Sequence, residues 1–162
     1  FCNPHNPEVH YRETGPELWD QMGGKVDAFV AGIGSGGTLQ GVGTFLREKN
    51  PKVKLVAVEP EGASALLQEP GLHRIHKIQG IGDGFVPDVL DTKIIDEIIC
   101  VTDDDAIHTT RQLARKEGLL VGTSSGANVW SAGKVAEELG PDARVATVLP
   151  DRAERYFSTA LI

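Results

Sequence analysis

The protein is a chain of 162 residues, 40% of them apolar, which is enough for one hydrophobic core of ordinary size. Its 23 acidic and 16 basic residues give a formal net charge of -7, the wrong sign for a surface that holds a nucleic acid backbone. We therefore expect a single domain over residues 1–162 and no nucleic acid partner.

The sequence also bears on compartment and membranes. Cys2 and Cys100 form no CxxC pair, and so low a cysteine count favours a reducing compartment, so we expect the cytoplasm. No apolar run approaches the roughly 18 to 20 residues of a membrane span, and no basic-then-apolar leader opens the chain, so we expect no membrane association. The turn-rich opening from Phe1 predicts the middle of a longer protein; a processed N-terminus is the alternative.

Helix and strand signals alternate along the whole chain. The most telling run, Val26–Ile33, is apolar except at Asp27, which is typical of a strand covered on both faces of a parallel sheet. The predicted elements, in order, are a helix within 7–22 ended by Gly23–Gly24, strand Val26–Ile33, helix Thr38–Lys49, strand Lys54–Val58, a short helix Ala63–Gln68, strand Ile94–Val101, helix Asp103–Lys116 capped by Thr102, helix Gly126–Leu139 and strand Ala143–Leu149.

This order predicts the fold class. Strands that alternate with helices indicate an α/β domain with a doubly wound, mostly parallel sheet and helices on both faces. The irregular region from Glu59 to about Thr92 is long for a compact domain, and long loops of this kind are usually functional or disordered.

A glycine-rich loop, AGIGSGGTLQG, stands between the first buried strand and the next helix. There the backbone N–H groups and the positive end of the helix dipole favour an anion, and glycine lets the ligand approach the backbone. A tight turn alone would need one or two glycines, not the four between Gly32 and Gly37. Thr38 adds a hydroxyl suited to a terminal phosphate. The loop therefore predicts a phosphate site.

The same loop also satisfies a dinucleotide pattern. Gly32, Gly34 and Gly37 fit G-x-G-x-x-G, and the following strand ends in Glu59, where a dinucleotide fold places its ribose-binding acid. A nicotinamide-dependent oxidoreductase is therefore an alternative. That alternative gives no role to the glycine-rich segments Gly80–Gly84 and Gly122–Gly126.

Several motifs in order resemble one known family. They are NPHNPEVHYRETGPE, GSGGTLQGVG, QGIGDGFVPDVLD, EGLLVGTSSGAN and LPDRAERYFST. Together they resemble O-acetylserine sulfhydrylase, or cysteine synthase, a fold-type II pyridoxal-phosphate enzyme. The resemblance runs along essentially the whole chain, which looks like the C-terminal portion of such an enzyme. It implies the α/β fold given above for this cofactor-binding part.

The resemblance also implies roles for particular residues. It assigns the 5'-phosphate of pyridoxal 5'-phosphate to Gly34, Ser35, Gly36, Gly37 and Thr38, and the pyridine nitrogen to Ser124. A neutral hydroxyl leaves that nitrogen largely unprotonated, which suits β-elimination and replacement. Without the resemblance, Ser124 and Ser125 would be interpreted as caps of a helix starting near Gly126. Gly80, Ile81 and Gly82 match the family's loop beside cofactor and substrate; alone they would be a flexible turn.

The chain departs from the family in three respects. LPDRAERYFST carries Arg152-Ala153 where the family has Ser-Gly, so the turn there is expected to differ. The family's lysine, which binds the cofactor covalently and moves the substrate α-proton, lies in a Ser-x-Lys context that none of the lysines here matches. The loop that holds the substrate carboxylate is missing as well. We therefore expect no catalytic residue in this chain and no activity from the chain alone.

For the complete enzyme, the resemblance implies loss of acetate from O-acetylserine and addition of sulfide to give cysteine. It also implies a homodimer and, in some members, binding of the C-terminal tail of serine acetyltransferase. A cystathionine β-synthase-like or other β-replacing enzyme is a related alternative. A truncated, non-catalytic domain that binds phosphate or the parent subunit is a third class.

The histidines are the candidate metal ligands of the sequence. His73 and His76 are three residues apart, but no cysteine or tight acidic cluster accompanies them in the sequence. Histidines in solvated loops are the simpler interpretation, as is a solvated helix start for Asp103–Asp105. We therefore expect no metal site.

Overall fold

The computed structural model of the protein describes residues 1–67 and 75–159. Its strands form one four-stranded sheet in which every pairing is parallel. The strands are β1 (Ala28–Gly32), β2 (Lys54–Pro60), β3 (Glu97–Val101) and β4 (Val145–Thr147). Their order across the sheet is β3-β2-β1-β4, with Val30 paired to Val56 on one side and to Thr147 on the other.

The helices precede, connect and follow these strands. They are α1 (His5–Val9), continued through a π-helical segment (His10–Thr14) into α2 (Gly15–Gln21); α3 (Gly37–Lys49); α4 (Asp103–Gln112), continued by a π-helical segment (Leu113–Glu117); α5 (Thr123–Leu139); and 3-10 turns at Thr92–Ile94 and Ala153–Tyr156. No helix within residues 1–67 and 75–159 is long and apolar enough to cross a membrane.

The two central strands, β1 and β2, are buried on both faces, which explains their nearly continuous apolar residues. Phe29, Ala31 and Leu55 lie on one face, in a cluster with Leu39 and Leu46 of α3. On the other face the cluster combines residues of the strands with residues of α4 and α5, namely Ala28, Val30, Val56, Val58, Val101, Ala106, Ala127 and Val135. The predicted α/β fold, with a parallel sheet and helices on both faces, is confirmed.

The local start and stop signals act as predicted. The Thr102 hydroxyl accepts a hydrogen bond from the Asp105 N–H and so caps α4. Gly23 and Gly24 have φ of 66° and 70°, a left-handed conformation that ends the N-terminal helix.

Three element predictions need correction. Residues 63–67 form no helix, and residues 65–67 form a turn, because the Glu59 carboxylate accepts hydrogen bonds from the Ser64 hydroxyl and the Ala65 and Leu66 N–H groups; Gln68 lies outside the described residues. The predicted strand from Ile94 begins only at Glu97, after a 3-10 turn. The helix predicted from Gly126 begins at Thr123, and Ser124 and Ser125 lie inside it.

Candidate functional site

The strand order contains a reversal that defines a crevice. The chain passes from β1 to its neighbour β2 and on to β3, and then returns to place β4 on the opposite side of β1. Elements that follow β1 and β4 therefore diverge at the carboxyl end of the sheet. In open α/β sheets, ligands bind at this point.

A side chain from α5 fills the opening between the two strands. Pairing of β1 with β4 stops at Val30 and Thr147, whereas pairing of β1 with β2 continues to Gly32. Asn128 occupies the position beyond: its Oδ1 accepts from the Gly32 N–H at 2.8 Å, and its Nδ2 donates to the Val148 carbonyl at 2.9 Å. The residue is 1% exposed. It replaces the backbone partners that these groups lose where the strands separate.

The glycine loop lies directly after β1. Gly36 has φ of 78° and precedes α3, which begins at Gly37 and has no side-chain cap. The first N–H groups of a helix have no partner within the helix, so this start offers donors and a positive dipole end to an anion. Thr38 is the second residue of the helix, as the phosphate prediction requires.

The loop Gly80–Gly82 is in direct contact with the predicted phosphate site. The Gly82 N–H donates to the Ile33 carbonyl at 3.0 Å, and a Cβ at Gly34 would overlap the Gly80 carbonyl oxygen. Ile81 is buried, and its side chain lies against Gly32. The structure thus brings together the two glycine segments that the sequence separates by more than 40 residues.

The N-terminal helix supports the glycine loop from the other side. Asn6 Nδ2 donates to Ser35 Oγ at 2.8 Å, and a Cβ at Gly37 would overlap the Asn6 amide. His10 Nε2 lies 3.2 Å from Thr38 Oγ1, and burial lowers the pKa of His10. Sequence reasoning missed Asn6 and His10; the motif that contains them was the only signal, because a side chain's partner 28 or 29 residues away is not visible in sequence.

Ser124 is in the first turn of α5 and is 4% exposed. It stands four residues before Asn128, so both lie on the face of α5 that is turned to β1 and β4. The capping interpretation is wrong: the cap position is Gly122, and no side chain caps this helix. The neighbouring Thr123 Oγ1 and Ser125 Oγ are buried without a hydrogen-bond partner. A polar ligand group at this helix start fits these unpaired hydroxyls.

The segment after β4 packs against the residue before α5. Tyr156 Oη donates to Asp151 Oδ2, and a Cβ at Gly122 would overlap both Asp151 and the Tyr156 ring. Burial raises the pKa of Tyr156 to about 12, and the hydrogen bond to Asp151 acts in the same direction. Arg152, at the departure from the family motif, is exposed and bridges to Val121 in antiparallel fashion. These contacts hold the start of α5.

The dinucleotide alternative loses its key residue. Glu59 is 2% exposed, and both its carboxylate oxygens accept hydrogen bonds from residues 64–66. A carboxylate engaged in this way does not reach a ribose hydroxyl.

Within the described residues, no group of three or more His, Cys, Asp or Glu side chains could hold a metal ion. His76 Nε2 lies 3.2 Å from the Gly82 carbonyl, and His73 lies outside the described residues.

The parallel sheet and the glycine loop at its strand reversal define an α/β domain of the class that binds ligands at this edge of the sheet, and comparison with known proteins specifies the family. The family model of pyridoxal-phosphate dependent enzymes matches residues 1–151. The chain belongs to this family.

Individual relatives agree with the family. A cysteine synthase of Staphylococcus aureus is 51% identical over 99% of this chain and 52% of its own length. The crystal structure of an O-ureido-L-serine synthase superposes with a TM-score of 0.91 at 42% identity, over 99% of this chain and 51% of that one. That of an O-acetylserine dependent cystathionine β-synthase from Helicobacter pylori gives 0.90 at 42% identity, over 99% and 51%. The chain spans about half the length of the curated relatives it matches.

Proposed function

We propose that the chain is the cofactor-binding part of a cysteine synthase, which converts O-acetylserine and sulfide to cysteine and acetate. The observation that carries this proposal is the contact of the loop Gly34–Thr38 with the loop Gly80–Gly82 at the strand reversal. Ser124 lies one helical turn before Asn128, which bonds to Gly32 at the same edge of the sheet. The 51% identity to the cysteine synthase of Staphylococcus aureus supports the choice of reaction.

Each part of the site has a role in the proposal. Gly34, Ser35, Gly36, Gly37 and Thr38 hold the 5'-phosphate through backbone N–H groups and hydroxyls at the start of α3. Ser124 faces the pyridine nitrogen; as a neutral group it leaves that nitrogen largely unprotonated. Gly80, Ile81 and Gly82 line the substrate side. Pyridoxal phosphate itself supplies the electron sink for β-replacement.

The covalent lysine, the substrate and the partners are proposed for the complete protein. None of the lysines in residues 1–162 lies in the Ser-x-Lys context of the family's covalent lysine, and Lys54 and Lys25 pair with acidic side chains. A lysine from outside residues 1–162 therefore serves as the covalent ligand and proton carrier. The proposal further includes a cytoplasmic homodimer, an amino-acid substrate and, as a partner, the C-terminal tail of serine acetyltransferase.

A second reaction has specific support. The Helicobacter pylori relative in the structural comparison is an O-acetylserine dependent cystathionine β-synthase at 42% identity. Supplying the complete protein with O-acetylserine and either sulfide or homocysteine separates the two reactions. Faster formation of cysteine supports the first, and faster formation of cystathionine replaces it by the second.

Cofactor binding is tested by titrating the purified protein with pyridoxamine 5'-phosphate, which needs no lysine for attachment. Gly37→Asp places a carboxylate in the phosphate loop and a Cβ against Asn6, and both should abolish binding, whereas Gly133→Asp, at an exposed helical position with nothing within 4 Å, controls for the added charge. Ser124→Ala should weaken binding by about two- to tenfold, the value of one hydrogen bond, without changing the affinity for inorganic phosphate. Binding that survives Gly37→Asp would overturn the proposed site, as would protection by NAD in place of the pyridoxal compound.

A further inference from the structure

We propose that Asn128 is a positioning residue that sets the distance between the two ends of the cofactor site. The inference rests on the function proposed above, in which the phosphate is held by the loop after β1 and the pyridine nitrogen by Ser124 of α5. These two ligand groups belong to separate elements. Their separation has to match the length of a rigid, flat cofactor, so something has to fix α5 relative to β1.

Asn128 has the geometry for this task. Its Oδ1 is bonded to the N–H of Gly32, two residues before the first glycine of the phosphate loop, and its Nδ2 is bonded to the Val148 carbonyl. The same residue lies one turn of α5 away from Ser124, on the same face. One planar amide thus connects the strand that leads into the phosphate loop with the helix that carries the nitrogen ligand.

The Asn128 side chain is buried and closely packed. Asn128 is 1% exposed, and a Cβ at Gly32 would lie 3.1 Å from its Oδ1, so the strand approaches the amide closely. Its two partners are backbone groups, which cannot change rotamer. Buried and fully bonded amides of this kind hold the elements they join in one arrangement. An alanine here would leave the Gly32 N–H and the Val148 carbonyl unpaired at the point where β1 and β4 separate.

A matched control lies at the same junction between β1 and β4. Thr147 Oγ1 donates to the Val30 carbonyl at 2.7 Å, so it also joins β4 to β1 through a side-chain hydrogen bond. It lies where the two strands are still paired, and its side-chain hydrogen bond goes to β1 and not to α5. Thr147→Val therefore weakens the junction between β1 and β4 without altering the contact between β1 and α5.

The test compares Asn128→Ala, Asn128→Asp and Thr147→Val with the wild-type protein. Asn128→Asp keeps the size of the side chain and the acceptor for Gly32, but loses the donor to Val148. The probes are inorganic phosphate, which needs only the phosphate loop, and pyridoxamine 5'-phosphate, which needs both ends. The absorbance of the bound pyridine ring reports on its nitrogen, and urea unfolding reports stability separately.

We expect both Asn128 variants to bind pyridoxamine 5'-phosphate at least about fivefold more weakly, with a shifted ring absorbance and phosphate affinity within about twofold of wild type. Thr147→Val should lose stability but keep both affinities. Equal losses for the two probes, or the same loss in Thr147→Val, would overturn the positioning role. Wild-type protein that binds phosphate but gains nothing from the pyridine ring would instead refute the proposed function.

Discussion

The contact between the two glycine segments can be tested by a single methyl group. Gly34→Ala adds a Cβ that would overlap the carbonyl oxygen of Gly80, which is backbone and cannot rotate out of the way. The loop Gly80–Gly82 is held in place because Gly82 donates to Ile33 and Ile81 is buried, so the strain cannot be relieved cheaply. Overpacking of this kind costs about 1 to 3 kcal/mol.

The expected effect is measurable in two assays. Each kcal/mol lowers the melting temperature of a chain of this size by about 2 to 4 °C, so Gly34→Ala should melt several degrees below wild type. Displacing the loop Gly80–Gly82 or the phosphate loop should also weaken binding of inorganic phosphate. Isothermal titration and thermal unfolding measure the two quantities independently.

A second glycine provides the control. Gly133 is exposed within α5, and a Cβ there meets nothing within 4 Å. Gly133→Ala should therefore stabilise the protein by up to about 1 kcal/mol through helix propensity and leave phosphate binding unchanged. If Gly34→Ala unfolds at the same temperature as wild type and binds phosphate equally well, the two loops are not in contact and the described site is wrong.

Two further predictions concern pH. Burial lowers the pKa of His10 below its ordinary 6.5, so the folded state binds this proton less readily than the unfolded state does. The free energy of unfolding should therefore fall as pH drops below 6.5. The urea midpoints measured at about pH 7.5 and 5 should differ less in His10→Gln than in wild type. Tyr156 has its pKa raised from 10.0 to about 12, so its contribution to stability is full below pH 10 and is lost as pH rises toward 12. The free energy of unfolding of Tyr156→Phe should therefore depend less on pH in the alkaline range. Its absorbance titration should lack the late phase of tyrosine ionisation. An unchanged pH dependence in either variant would contradict the corresponding assignment.

The sequence predicts the phosphate site from local chemistry alone. A buried apolar strand, four glycines and a helix start with Thr38 follow one another directly, so the backbone donors and their approach can be deduced from adjacent residues. The parallel sheet was predictable for the same reason, since strands buried on both faces are continuously apolar. The role of each site residue remains a proposal.

The start of α5 shows where local reasoning fails. Serine is a common capping residue, so Ser124 and Ser125 suggested a helix beginning at Gly126. In the structure the helix begins at Thr123, because Gly122 is held by Asp151 and Tyr156, which follow it by about thirty residues. Similarly, Glu59 resembled a ribose ligand in sequence, but its carboxylate turns to residues 64–66.

By itself, then, the sequence determined the α/β class, the parallel strands and the position of a glycine loop at a helix start, together with motifs that resemble one family, because each depends on residues near one another in the chain. Only the tertiary structure decided which side chains join these parts. Asn128 looks like an ordinary helical residue until the strand order separates β1 from β4 and leaves Gly32 and Val148 in need of partners. Hydrogen-bond partners that lie 20 and 96 residues away are set by topology, and no local pattern encodes them.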